Sequence, residues 1–439
     1  MRWSCPLLLG ACVAFGSSVG ASADESRVIT VEEAVVLALG QNASLQAARA
    51  RLEAGQAMAS STARHLAPAI HLSDEFQHYN SAFTPLITAG PPGTPAAPFP
   101  VRKQDTNMFT IGADQPLLGL LRLSAEHAGQ QRNAEAGAAQ VESAELSLRQ
   151  AVETVYLRVF EAKALEETAL ASERELNDRL EVARAQLVSG VLTDADVLRV
   201  QVAAANARQQ AIQAHAQGLV SRASLLALVG LPADDLGVSL AEPRSLLEAS
   251  EKRPEAAAAQ QQAQEGRPEI VQTRLSLEAG EHQRRARLYA LLPDINLEGA
   301  YMRSYGQIIL PTSFAFIGIS ARWAIWEWGA SYALYRASRA QARAAAFDLE
   351  NQKQQIRAEV TSTVAQLDAA ASAISVAEQA IASAQEAYRV TDAQLKAGTA
   401  TTTDLLEAQS ALTQARLNYL RAQYELAISR VNLRRALGR

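Results

Sequence analysis

The histidines are the residues of this chain whose side chains are best suited to hold a metal ion. Six are present, and the closest series is His65, His71 and His78. Metal-binding histidine pairs recur at short helical spacings such as i and i+4, often beside cysteine or acidic ligands. These three are six and seven residues apart and have no cysteine nearby. The sequence therefore predicts no metal site.

Catalytic and cofactor-binding patterns are also missing from the chain. It contains no Gly-x-Ser-x-Gly, Walker or dinucleotide fingerprint, and so no set of nucleophile, base and phosphate-binding glycines. The two cysteines, Cys5 and Cys12, both lie near the N-terminus. We predict that the protein is not an enzyme and binds no cofactor.

Residues 1–23 have the features of a secretory signal peptide. They contain one positive charge, Arg2, followed by an apolar run and an A-x-A cleavage site that ends at Ala23. Cleavage there leaves a mature chain without thiols, which excludes disulfides and cysteine ligands. An alternative is a lipoprotein signal with Leu9–Cys12 as the lipobox, in which Cys12 carries the lipid.

Composition limits the class of protein further. The chain has 439 residues, of which 48% are hydrophobic, 20% charged and 5% aromatic. This much apolar surface excludes disorder. Beyond the N-terminus no apolar run reaches the ~20 residues that a membrane-spanning helix needs. A net charge of −5 without a dense basic cluster argues against nucleic acid as a partner.

The chain consists of two tandem copies of one structural unit. The motif Leu66–Leu72 recurs as Leu291–Leu297 with an offset of 225 residues, and Ala185–Gly190 recurs as Ala393–Gly398 with an offset of 208. The 17 residues missing from the second copy are most easily lost from the Pro- and Gly-rich segment Ser81–Gln104, which we interpret as an exposed loop. The predicted division is 24–240 for the first repeat, 241–266 for a linker and 267–439 for the second.

Each copy repeats the same order of elements. An Ala-rich helix is followed by two extended runs with alternating apolar residues, then a very long helix without proline and a returning helix. The long helices end at Gly190 and Gly398, and the returning helices run to Gly230 and Gly438. The remaining predicted elements are Val31–Leu66, Ala69–Tyr79, Thr106–Gln115 and Arg122–Val188 in the first copy, and Pro268–Leu291, Asp294–Tyr305, Ser313–Trp323 and Ser331–Lys396 in the second.

The resulting fold class is mainly α with a small β part. At 1.5 Å per residue the long helices reach about 100 Å, so they must pack lengthwise on other helices. Four strands cannot close a barrel, because about eight is the practical minimum, whereas three copies supply twelve. Lipid does not tolerate unpaired strand edges, so the strands either close by oligomerisation or do not span a membrane.

In these features the chain resembles the TolC family of trimeric outer-membrane efflux and secretion channels. The resemblance covers nearly the whole mature chain. It rests on the Leu-x-Pro-x-Ile-x-Leu strand entries, on the strand exits at Gln115–Leu118 and Trp326–Gly329, and above all on the Gly-x5-Asp-x-Leu hairpin tips at Gly190–Leu198 and Gly398–Leu406.

The resemblance implies a homotrimer whose twelve strands form one barrel in the outer membrane. Its helices would form a tunnel that extends through the periplasm. The tips of the tunnel would dock onto a periplasmic adaptor and, through it, an inner-membrane pump that supplies the energy. Drugs, metals and secreted proteins are all possible cargo. The alternative is a periplasmic coiled-coil adaptor or structural protein without a pore, although an adaptor would have a single hairpin.

The resemblance also assigns roles to residues at the hairpin tips. Asp404 and Glu407 match acidic residues that ring the periplasmic entrance of the family's channels and would form a cation-sensitive gate; otherwise they are a helix cap and a solvated acid. Asp196, their first-copy counterpart, is interpreted as a cap. The Arg and Tyr that tether the tips in some members are replaced by Ala400 and Leu395.

Residues around the two tip glycines are predicted to face the adaptor, or else simply to end the helices; they are Val188, Gly190, Val191, Leu192, Ala397, Gly398 and Thr399. Three tryptophans, Trp323, Trp326 and Trp328, either belong to an aromatic girdle at the membrane interface or pack in a core.

Overall fold

The computed structural model describes residues 27–88, 90–91, 93–232, 237–248 and 254–439. The predicted signal peptide, residues 1–23, lies outside these ranges. The first repeat contains β1 Arg27–Ile29, α1 Val31–Gln41, α2 Ala43–Arg64, β2 Ala69–His78, β3 Leu86–Ile87, β4 Ala97–Pro98, β5 Arg102–Pro116, α3 Gly119–Val188, α4 Asp194–Val229 and β6 Val238–Leu240.

The short helices α5 Arg244–Leu247 and α6 Ala256–Gly266 lie in the segment that the sequence suggested as a linker. The second repeat then follows with α7 Pro268–Tyr289, β7 Asp294–Gln307, β8 Ser313–Arg322, α8 Ala330–Lys396 and α9 Thr402–Ala436. The order of elements in the two repeats agrees with the prediction. Helix α6 is packed rather than free, because Ala259 and Ala263 are buried against Ile356 and Val360 of α8.

The first predicted helix, Val31–Leu66, is wrong as a single element. It is two helices that separate at Asn42, whose backbone is extended with φ −63° and ψ 120°. The Asn42 side chain accepts hydrogen bonds from the amides of Ser44 and Leu45 and donates one to the carbonyl of Leu228 on α4. An asparagine cap therefore ends one helix, starts the next and fixes both to the first hairpin.

Four strands form an antiparallel sheet in the order β2-β5-β7-β8. Its central pair, β5 and β7, joins the two repeats and aligns Ile111 with Tyr301. Strands β2 and β8 are the two edges, and within the described residues neither edge pairs with a further strand. The predicted loop Ser81–Gln104 contains the small hairpin of β3 and β4, where Leu86 pairs with Pro98.

The long helices α3 and α8 contain 70 and 67 residues, and so extend for about 105 and 100 Å. Helix α3 packs against α4, and α8 packs against α9, to give two long hairpins. Both leave the sheet at the same end, because β5 leads into α3 and β8 leads into α8. The hairpin tips thus lie far from the sheet.

The largest core lies where α1, α3, α4 and α9 meet. Tyr156 is fully buried there, and its hydroxyl lies 2.8 Å from the carbonyl oxygen of Ile29 and 2.6 Å from that of Ala241. Burial raises the pKa of Tyr156 to about 12. Ile29 is the last residue of β1, and Ala241 directly follows β6. These two three-residue strands pair in parallel, and the sequence did not predict them.

A buried ionic cluster connects the start of the second repeat to both hairpins. Arg267 forms ion pairs with Glu269 and Glu359, and Arg435 of α9 forms one with Glu269. Burial disfavours the charge of Glu269, but hydrogen bonds from Ser143, Arg267 and Arg435 lower its pKa to about 2. The cluster therefore remains ionised at neutral pH and fixes α3, α7, α8 and α9 at one level.

Candidate functional site

The two hairpin tips have the same backbone. We call residues 186–199 the first tip and 394–407 the second. In the first, Gly190 has φ +72° and the amide of Val191 donates to the carbonyl of Gln186; in the second, Gly398 has φ +74° and Thr399 donates to Gln394. These are Schellman turns, which need a residue with positive φ. Each glycine lies just beyond the C-cap of its long helix, where the sequence predicted that the helix ends.

The returning helix of each tip starts with a capping box. In the first tip the Asp196 amide donates to the hydroxyl of Thr193, while the Thr193 amide donates to the Asp196 carboxylate. Thr401 and Asp404 make the same bonds in the second tip. The threonines are therefore the N-cap residues, and the aspartates occupy the third helical position.

Both capping aspartates hold their negative charge strongly. Hydrogen bonds from the side chain and backbone of Thr193, with the charge of Arg199, lower the pKa of Asp196. Hydrogen bonds from the backbone and side chain of Thr401 lower the pKa of Asp404. Asp404 therefore takes part in the capping box and is also exposed. Glu407, one turn further along the helix, is exposed too. The two carboxylates share a helix face, as i and i+3 residues do.

The side chains around the two glycines differ between the tips. In the first tip, Val188 and Val191 are exposed by 90% and 69%, which is unusual for apolar residues at a turn. In the second, Ala397 and Thr399 are exposed and much less apolar. A β-carbon added at Gly190 or Gly398 would meet no atom within 4 Å, so both turns are open on one side.

A polar network that the sequence did not reveal connects the two hairpins above the tips. Arg179 of α3 donates to the Tyr388 hydroxyl and to Asp392 of α8, and Tyr388 donates to Glu175 at 2.6 Å. Lys396 donates to Asp392 at 2.7 Å. The only signal in the sequence is the spacing of four residues between successive members on each helix, which places them on one face.

The network borders a cleft of about 650 Å³ between the hairpins. Val182, Leu192 and Leu405 are among its apolar lining residues, and Asp178 adds a carboxylate. Lower down, Arg199 of the first tip donates to the hydroxyl of Thr403 in the second at 3.1 Å. Of the predicted tip residues, Val191, Leu192 and Gly398 line this cleft, so the two tips meet along it.

At the other end of the molecule, the sheet has two chemically different faces. Alternate residues of all four strands form an exposed apolar face that includes Ile70, Leu72, Phe76, Ile111, Tyr301, Ile317 and Ile319. The opposite face contains Thr106, Thr110 and Ser304, all buried, and the pairs His71–Asp114 and Glu298–Ser320. Such an alternation is typical of a strand between lipid and water.

The three tryptophans lie where β8 leads into α8. Trp323, Trp326 and Trp328 are exposed by 59%, 75% and 89%, and Trp328 has φ +55°. The rings of Trp326 and Trp328 contact each other edge to face with centroids 5.8 Å apart. Core packing within one chain is therefore wrong for these residues, and an interfacial position stays a prediction.

The histidines of the sheet pair with single carboxylates. His71 lies 3.5 Å from Asp114, and His78 lies 2.6 Å from Asp105. Among the described residues no group of three or more His, Cys, Asp or Glu side chains is arranged to hold a metal ion.

Within the part of the chain that the structure describes, no helix combines the length and the apolar character needed to cross a membrane.

A family model described as outer membrane efflux protein matches residues 34–231 and 259–439. One relative, the outer membrane efflux protein BepC of Brucella suis biovar 1 (strain 1330), is 27% identical over 299 residues. That match covers 67% of this chain and 63% of BepC, so the chain matches less than two thirds of the relative's length.

Solved structures with the same fold cover almost the entire chain. The outer membrane protein VceC of Vibrio cholerae has a TM-score of 0.80 and 19% identity, with 93% of this chain and 96% of VceC covered. The open state of the MtrE outer membrane channel of Neisseria gonorrhoeae has a TM-score of 0.76 and 18% identity, with 100% and 97% covered. These likenesses show the fold of the long hairpins and the four-stranded sheet.

Proposed function

Because this chain belongs to the outer membrane efflux protein family, as the sequence predicted, we propose that three copies form a passive export channel. The channel crosses the outer membrane and extends into the periplasm. The proposal rests mainly on the sheet, which combines an exposed apolar face with two edges that pair with no further strand of the described residues. The family is one of outer-membrane channels, and the proposed conduit performs no catalysis.

The free edges account for the number of copies. An open sheet edge in lipid leaves backbone groups without partners, at a cost of several kcal/mol each. If β8 of one chain pairs with β2 of the next, three chains supply twelve strands and no edge remains. The apolar face then faces lipid, and the face with Thr106, Thr110 and Ser304 faces the lumen.

The hairpins supply the periplasmic part of the conduit. With lengths of about 100 Å, α3 and α8 place the tips far from the membrane. The exposed Val188 and Val191, beside the open turn at Gly190, favour a protein partner, since apolar side chains at an open turn gain by burial. We assign this partner as a periplasmic adaptor that connects the tips to an inner-membrane pump.

The second tip provides the entrance gate in this proposal. Asp404 and Glu407 share an exposed helix face, and threefold symmetry would place six carboxylates around one axis. Carboxylates crowded into a constriction attract cations, divalent ions above all. The cargo can be a drug, a metal ion or a secreted protein, since the pump selects it.

Fractionation and planar-bilayer recording test the proposal together. The processed protein should be found in the outer membrane, migrate as a heat-modifiable trimer and form ion-conducting pores. A water-soluble protein, or a stable monomer in membrane-like detergent, would exclude the channel. A soluble protein that bound an inner-membrane pump would instead support the adaptor alternative.

A further inference from the structure

The exposed apolar face of the sheet ends in a group of cations on the side away from the helices. The turns β2–β5 and β7–β8 lie at this end, because both long helices leave from the other. With the helices in the periplasm, this end is the outer one. Lys103 of β5 and Arg303 of β7 lie here, both exposed.

The two cations share the lipid-facing side of the sheet. Exposed and less exposed residues alternate along this part of β7, and the exposed ones are Tyr301, Arg303 and Tyr305. Because Tyr301 belongs to the apolar face, Arg303 and Tyr305 are on that face as well. The Lys103 Nζ lies 5.2 Å from the centroid of the Tyr305 ring, which places Lys103 on the same side. Arg303 is two residues from Tyr305 on the same strand, so the two cations flank one tyrosine.

The charges of Lys103 and Arg303 are not neutralised within the described part of the chain. Neither side chain forms an ion pair with a carboxylate there, although Asp74 and Asp105 are on the same side of the sheet. Asp105 pairs with His78 at 2.6 Å, and Asp74 accepts a hydrogen bond from Asn107 at 2.7 Å. A tyrosine ring holds a cation in position without cancelling its charge.

We propose that Lys103 and Arg303, with Tyr305 between them, bind the phosphate groups of outer-leaflet glycolipid on the outside of the channel. This rests on the proposed barrel, which makes the apolar face a lipid contact. The outer leaflet of an outer membrane consists of a glycolipid with a phosphorylated sugar headgroup. Arginine binds phosphate oxygens with two parallel hydrogen bonds, lysine does so as a point charge, and the tyrosine ring lies at headgroup level.

The test measures lipid binding to intact trimers in detergent by native mass spectrometry. The probe is hexa-acylated lipid A with both phosphates, and the same lipid without phosphates is the comparison. Lys103→Gln with Arg303→Gln should weaken binding of the phosphorylated probe by about 25-fold, which corresponds to about fivefold per cation. Binding of the dephosphorylated probe should not change.

Two further variants separate charge from fold. Arg285→Gln with Arg287→Gln removes two exposed cations from α7, outside the sheet, and should bind lipid A as the wild type does. Arg303→Lys retains the charge and should bind more tightly than Arg303→Gln. Equal binding by the wild type and the Lys103/Arg303 double variant would overturn the proposal.

Inorganic phosphate distinguishes a lipid headgroup from a free anion. Millimolar phosphate should not displace lipid A, since the acyl chains add apolar contacts; complete displacement would overturn the assignment to lipid. Heat-modifiable migration and pore formation are recorded on the same samples. If the variant trimers lose lipid binding but still conduct ions, the substitutions have affected the lipid site alone. If the wild type forms neither trimers nor pores, the proposed channel function is refuted.

Discussion

The first and second tips have the same backbone and different surfaces. The residues that shape the turn and the cap coincide at an offset of 208: Gly190 with Gly398, Thr193 with Thr401, and Asp196 with Asp404. The exposed positions do not, since Val191 matches Thr399 and Arg199 matches Glu407. Duplication thus retained the geometry, while the first tip is more apolar around its glycine and has Arg199 where the second has Glu407.

The difference indicates a division of labour between the tips. The first tip exposes Val188 and Val191 and uses Arg199 to contact Thr403 of the second. The second presents Asp404 and Glu407. We therefore assign docking mainly to the first tip and the interaction with ions to the second. Four predictions test this comparison.

The largest effect is expected from the shared glycines. Gly190→Ala and Gly398→Ala should each destabilise their turn by about 1–2 kcal/mol, because a β-carbon strains a backbone with positive φ. The amides of Val191 and Thr399 should then exchange hydrogen about 5- to 30-fold faster. Hydrogen exchange with mass spectrometry measures both.

The control for these variants is Gly218→Ala in α4, where the added β-carbon would make only an ordinary contact with Ala162 at 3.7 Å. It should leave exchange at both tips unchanged. A large effect in one tip and none in the other would contradict the conclusion that both turns depend on glycine to the same extent.

The next effect concerns the charges that distinguish the tips. Asp404→Asn with Glu407→Gln should weaken divalent-cation block of the pore by at least about tenfold, since six carboxylates would be lost from one axis. Planar-bilayer recording measures the block. Asp196→Asn changes the equivalent residue of the first tip and should leave the divalent-cation block unaltered. If the Asp404/Glu407 double variant were blocked as strongly as the wild type, these residues would not form a cation-sensitive gate.

A smaller effect is expected from the network that joins the hairpins. Arg179→Gln removes the contacts with Tyr388 and Asp392, half-buried interactions of about 1 kcal/mol. The hairpins should separate more easily, which should raise the open fraction of the pore about fivefold in bilayer recordings. Arg184→Gln is the matched control, because among the described residues the ion pair of Arg184 is with Glu181 on its own helix. The same open fraction in both variants would contradict the role of the network.

The smallest effect is a pH dependence common to both tips. The pKa of Asp196 and that of Asp404 are lowered by their threonine hydrogen bonds. Each carboxylate therefore stabilises its cap above its unfolded pKa, and this contribution is lost as the pH falls below about 4 towards the folded pKa. Protection of the Asp196 and Asp404 amides against hydrogen exchange should decrease a few-fold over that range. Loss of protection at only one tip would show that the two caps differ in their dependence on the carboxylate.

The sequence predicted the parts of the fold that depend on local order. Long helices without proline, alternation in the strands and glycine at the turns are local signals, and all of these elements are present. The predicted single helix missed the break at Asn42, because one polar residue hardly changes the helical periodicity of an Ala-rich segment. The pairing of β1 with β6 was missed because each strand has three residues and the two lie far apart in the chain.

The candidate site was predictable to a similar extent. The turns of both tips follow from a short motif, so Gly190 and Gly398 were placed correctly. The caps were not: Asp196 and Asp404 were interpreted as the capping residues, whereas the N-cap residues are Thr193 and Thr401. The network of Arg179, Tyr388 and Asp392 depends on which faces of α3 and α8 meet, and helical periodicity does not specify a partner across more than 200 residues. The cations beside Tyr305 needed the strand register for the same reason.

The register of β5 with β7 also affects biogenesis. Ile111 and Tyr301 are 190 positions apart, so two of the three strand pairings of this sheet must wait until late in synthesis to form. Contacts at such long separation form slowly, and the exposed Ile70, Leu72 and Phe76 lie on β2 of the one hairpin, β2 with β5, that can form before then. This early hairpin therefore exposes apolar side chains and a strand edge until the second repeat has been made, and both features favour aggregation.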